Sequence, residues 1–143
     1  MSKLLARLTD AARSGAYWTP RDAEIRDATR GTPLDVVRID LRAATDKRRL
    51  LDAFAAALSF PSWFGGNWDA LEDCLRDLSW REAEGWVLLV DGAAAAPREE
   101  LETLREVLDA CAEGWAAAGK PFFAVFTGQA NALKLPELFQ RRA

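Results

Sequence analysis

The chain has 143 residues, half of them hydrophobic, with 19 Lys/Arg against 22 Asp/Glu and no histidine. That length fits one domain with a real core, and no apolar run approaches the roughly 20 residues that span a bilayer. Lack of histidine excludes the commonest general base, the Ser–His and Cys–His nucleophile pairs and histidine-based metal sites.

The net charge of −3 is unevenly spread. Residues 1–49 carry eleven basic and seven acidic side chains, residues 50–91 two and eight, and residues 92–143 six and seven. The acidic middle third argues against a nucleic-acid ligand and for a basic partner. "MSKLLARLTDAARSGAYW" shows no apolar core followed by a cleavage site, so a cytoplasmic protein is expected. Cys74 and Cys111 are too few for a disulfide scaffold and are expected to be free thiols.

No repeat or low-complexity tract interrupts the chain. Residues 3–13 can form a short helix with Leu4, Leu5 and Leu8 inward, and "GAYWT" (15–19) a short extra strand. Residues 20–34, charged and carrying Pro20, Gly31 and Pro33, read as a loop or linker with room for a helical turn. "VVRIDL" (36–41) alternates, with Val37, Ile39 and Leu41 on one face of a half-buried strand. Thr45 can cap the next helix, whose stripe is Leu51, Phe54, Ala55 and Leu58. Pro61 marks a break, and Asn67 predicts the N-cap of a second helix over about 68–79. "WVLLV" (86–90) suits a strand buried on both faces. Pro97 precedes a long helix, about 98–116, with Leu101, Leu104, Leu108, Cys111 and Trp115 in its stripe. Gly119 and Pro121 end it, and "FFAVF" (122–126) is the third main strand. Residues 131–140, with Leu133, Leu135, Leu138 and Phe139, can form a last helix. Strands separated by helices predict parallel pairing through right-handed crossovers. The most apolar strand belongs in the middle, giving the order 1-2-3 with helices as a second layer.

The helix after Asn67 carries the chemistry. At about 100° per residue, Trp68, Leu71, Cys74, Leu75 and Leu78 share a core arc. Asp69, Glu72, Asp73, Arg76 and Asp77 share the opposite one. Asp69 and Asp73 stand one turn apart, their Cβ atoms roughly 5–6 Å from each other, and repel. On the helix alone, a solvated outer face explains these charges, and the helix dipole explains Asp69. The preceding Trp63-Phe64-Gly65-Gly66 shifts the balance. Adjacent loop side chains rarely both point inward, and the glycines let the backbone turn sharply or approach another molecule. An exposed aromatic beside fixed carboxylates has the makings of a protein-binding hot spot.

"FPSWFGGNWDALEDCL" (60–75) resembles the loop-and-helix signature of the barstar-like family of intracellular ribonuclease inhibitors. The resemblance implies an α/β, barstar-like two-layer fold, with a three-stranded parallel sheet (order 1-2-3) packed against helices. Residues 36–127 would form the domain, 1–35 an N-terminal extension and 128–143 a C-terminal tail. It implies that loop and helix enter the active site of a basic, secreted ribonuclease. Trp63 stands where the family has a contacting tyrosine, while Asn67, Asp69 and Asp73 match the family's residues. Glu72 replaces a tryptophan, and Trp80 offers a substitute for the tryptophan that follows the family's helix. The expected partner-binding set is Trp63, Phe64, Gly66, Asn67, Asp69, Glu72, Asp73, Arg76 and Trp80. The expected function is an inhibitor or immunity protein, not an enzyme, with no cofactor, metal, nucleic acid or membrane involved. One alternative is a barstar-like adaptor with a non-ribonuclease partner. Another, from a different class, is a hydrolase holding Mg²⁺ on Asp69, Glu72, Asp73 and Asp77. Magnesium sites usually converge from several elements, which one exposed helix face does not provide.

Overall fold

Two central strands set the architecture, because both are apolar on both faces. In the computed structural model, which describes residues 2–139, β3 (Gly85–Asp91) and β4 (Phe122–Thr127) are buried almost throughout. Trp86, Leu88 and Val90 of β3, with Phe122, Ala124 and Phe126 of β4, face one layer of helices. That layer consists of α3 (Lys47–Leu58), α4 (Trp68–Asp77) and α5 (Arg98–Ala117), which contribute Phe54, Leu71, Leu75, Leu104 and Leu108. The alternate residues Val87, Leu89, Phe123 and Val125 form a second core with Leu4, Leu8, Ile25 and Leu138. Leu4 and Leu8 come from α1 (Lys3–Leu8), and Ile25 from α2 (Ala23–Thr29). The expected two layers are therefore corrected: helices contribute to a core on each face of the sheet.

The three main strands, β2 (Leu34–Asp40), β3 and β4, pair in parallel with β3 between its neighbours. The expected three-stranded sheet of order 1-2-3 is corrected to four strands in the order β1-β4-β3-β2. The added strand, β1 (Gly15–Thr19), is "GAYWT", parallel to Phe123–Thr127. Its physical reason is backbone satisfaction: a buried strand such as β4 must pair its polar groups on both sides.

Residues 20–34 hold a two-turn helix, α2, where a loop or linker with room for a single helical turn was expected. Ile25 and Thr29 are its buried positions, and the Thr29 hydroxyl donates to the Ile25 carbonyl at 2.7 Å. The predicted last helix is not formed over residues 131–139, and Gln140 lies outside the described residues. Leu133, Leu135 and Leu138 are buried, but in a non-helical tail. Asn131 closes a turn onto Leu135, and Trp18 exchanges backbone hydrogen bonds with Pro136 and Leu138. Pro136 and the two-residue spacing of Leu133 and Leu135 disfavour a helix. The cap of α3 is Asp46, which accepts from the Arg49 N–H at 2.8 Å, rather than Thr45.

If residues 2–14 pack as an integral layer, Leu8→Ala should cost about 2–5 kcal/mol, as for other fully buried leucines. Leu8 is completely buried. Urea unfolding of the variant checks this, and a loss near zero would mean that α1 is loosely attached.

Candidate protein-binding site

The loop into α4 begins where α3 ends. Ser59 takes a left-handed conformation (φ 54°), and a turn follows in which the Phe64 N–H donates to the Pro61 carbonyl. The turn divides its two aromatics. Phe64 is half-buried and meets Phe60 edge-on, with ring centroids 4.9 Å apart. Trp63 is 56% exposed, the one large hydrophobic so exposed among the described residues. Its ring rests edge-on against Trp80 at 6.3 Å. Trp80 in turn packs on Phe60, and its indole N–H donates to the Leu58 carbonyl at 2.9 Å. The exposed tryptophan thus has a fixed aromatic backing.

Gly66 sits at φ 71° with open space where a Cβ would be, so backbone conformation rather than crowding favours glycine there. Asn67 then starts α4, its side-chain oxygen accepting from the Ala70 N–H at 2.8 Å. Leu71, Cys74 and Leu75 are buried, and Trp68 packs half-buried against the same core. Leu78, left-handed at φ 50°, ends the helix at Asp77, earlier than the sequence pattern predicts.

The outer face separates into two groups. Glu72 and Arg76 are ion-paired at 3.0 Å, and Arg76 also donates to the Ala110 carbonyl of α5 at 3.4 Å. This pair is engaged within the fold. Asp69, Asp73 and Asp77 are exposed and form no hydrogen bond or ion pair. Each of the other aspartates among the described residues has a cationic partner or caps a helix. Three like charges one turn apart repel, which costs the free protein stability. Asp77 stands outside the expected binding set, although its four-residue spacing from Asp73 puts it in the same row. These carboxylates lie along one helix, and no three Asp, Glu or Cys side chains among the described residues converge as metal ligands would.

Residues 34–127 match the family model described as Barstar (barnase inhibitor). The chain belongs to the barstar family. No curated protein matches it. The barstar match runs from the first residue of β2 to the last of β4, so it contains the aromatic loop and α4. Of the expected set, Trp63, Gly66, Asn67, Asp69 and Asp73 are exposed along the loop and helix. Phe64 and Trp80 are half-buried in the aromatic cluster, and Glu72 and Arg76 are committed to each other.

The acidic face also acts on the thiol beneath it. Both cysteines are free and buried. Burial first, then the Asp73 and Asp77 charges, pushes the Cys74 thiol up to about 11. Burial and then Glu72 push Cys111 up to about 12. Both thiols hold their protons more tightly folded than unfolded. Their contribution to stability is therefore complete below pH 9, the ordinary thiol value, and is lost as pH rises through 11 and 12. Urea midpoints should fall across that window. The Cys74→Ala/Cys111→Ala variant should show a shallower fall, whatever its stability at neutral pH.

Proposed function

We propose that the chain is a stoichiometric inhibitor that blocks the active site of a basic, secreted ribonuclease. The observation that carries this reading is the row of unpaired, exposed aspartates beside the exposed Trp63, inside the barstar-matched span. A ribonuclease holds RNA phosphates with arginine and lysine. Asp69 and Asp73 would take the phosphate positions and pair with those cations, while Trp63 fills an adjoining pocket. Gly66 and Asn67 would present the loop and helix start, with Phe64 and Trp80 behind Trp63. Glu72 and Arg76 would lie at the rim. Because α4 is capped and packed, little ordering entropy is lost on binding, and the acidic patch steers a basic partner during approach.

The setting we propose is the cytoplasm, where such an inhibitor protects the cell that makes the nuclease. A second reading, a barstar-like adaptor for a different protein, draws on Glu72. A charged pair with Arg76 occupies the position where the family resemblance places a tryptophan.

RNA cleavage by barnase, titrated with the protein, tests the proposal: activity should vanish near one equivalent. Asp73→Ala should weaken binding by about 2–5 kcal/mol, the usual cost of truncating one partner of a desolvated charge pair. Measurements on the barnase–barstar complex helped to set the understanding of such pairs. Stability of the same variant should change by no more than about 0.5 kcal/mol, since a repulsion is relieved. Asp69→Ala and Trp63→Ala should also weaken binding, whereas Asp109→Ala, already paired with Arg105 on α5, should not. Calorimetry and thermal melts supply both readouts. Binding by Asp73→Ala equal to wild type would sink this reading of the helix.

A further inference from the structure

The loop that leads into α4 has a second border, and there the charge changes sign. A groove of about 500 Å³ is lined by Lys47, Arg48 and Asp52 from α3 and by Phe64, Gly65 and Gly66 from the loop. Lys47, Arg48 and Arg49 fill the first turn of α3, which contains no acidic residue. Cations there oppose the helix dipole, so their placement works against the stability of the free protein. Lys47 is exposed and makes no ion pair among the described residues. Arg48 meets Asp52 only at 3.9 Å, with both side chains largely in solvent, an arrangement that holds neither firmly. The helix end itself is served by Asp46. On the loop side, the N–H groups of Gly65 and Gly66 donate to no acceptor within the described residues. Two cations and two uncommitted backbone donors therefore border one groove, against a single carboxylate.

We propose that this groove receives an acidic side chain of the same protein partner that α4 engages. The partner would then carry a carboxylate-bearing rim beside its basic cleft. The inference rests on the inhibitor reading above. A carboxylate would gain charge-assisted hydrogen bonds from Lys47 or Arg48 and the glycine amides. A nucleic acid fits less well. The loop runs directly into α4, so a phosphate chain following it would meet Asp69 and Asp73, whereas a protein can present one isolated carboxylate.

The test needs no ribonuclease, so its failure is distinct from a failure of inhibition. An oligoglutamate peptide, at low ionic strength, is titrated into the labelled protein and followed by amide NMR. Saturable shifts are expected at Gly65 and Gly66, retained in Asp73→Ala. They should weaken by about tenfold or more in Lys47→Glu/Arg48→Glu. That variant should melt no lower than wild type, because the reversed charges suit the helix dipole. Absence of saturable shifts, or shifts unchanged in the double variant, would overturn the proposal. So would an oligouridylate that moves these amides more strongly than oligoglutamate, since the groove would then serve a phosphate chain.

Discussion

Two indole N–H groups hold the candidate binding surface to the core. A helix leaves its last carbonyls without intrahelical partners, and those need a donor from elsewhere. Trp80 donates to Leu58, the last residue of α3, and Trp115 of α5 donates to Leu75 in the last turn of α4, at 2.8 Å. Both bonds join elements distant in sequence. The first fixes the place where the aromatic loop departs, and the second fixes α4 on α5. Trp115 is itself held at 4.5 Å from Trp86 of β3, so the outer helix is tied through α5 to the central sheet.

That rigidity is what lets α4 carry charges that do not suit it. An exposed row of Asp69, Asp73 and Asp77 destabilises an isolated helix, and its own Arg76 is turned to Glu72 and to α5 instead of to the row. The buried stripe of Leu71, Cys74 and Leu75 outweighs that cost, because burying one leucine contributes roughly 1.5–3 kcal/mol. Asn67 adds a cap at the end where Asp69 also suits the dipole. The free protein can therefore keep uncommitted carboxylates ready for a cationic surface.

Much of this was legible in the sequence because the signals are local. The alternation in "VVRIDL", the unbroken apolar run of "WVLLV" and the Asn67 cap each point to one structure. Core and solvent arcs of α4 also follow directly from residue spacing. What escaped depends on distant partners. "GAYWT" reads as a short extra strand, but its place at the edge of the sheet depends on β4, which lies about a hundred residues further on. Residues 23–29 are helical because Ile25, with Ala28 beside it, meets a core built partly from Phe123 and Val125, far along the chain. The Glu72–Arg76 pair is a local i,i+4 spacing, but the bond from Arg76 to the Ala110 carbonyl was invisible because Ala110 lies on another helix. Family resemblance named the loop aromatics as a group, but only tertiary packing separates exposed Trp63 from Phe64 and Trp80.

The segments outside the barstar match complete the same physical logic. Val87, Leu89, Phe123 and Val125 would form an apolar face if the matched span stood alone, and α1, α2 and Leu138 cover it. The sheet is therefore held from both sides. Surface exposure of large hydrophobics is confined, among the described residues, to Trp63. No other large hydrophobic among the described residues reaches as far into solvent. Charges on the loop's two borders differ in sign, which under the proposed binding mode would penalise a partner docked in the reverse sense. One tryptophan can then supply apolar contact while the surrounding charges set orientation, a division in which charge gives specificity more than raw affinity.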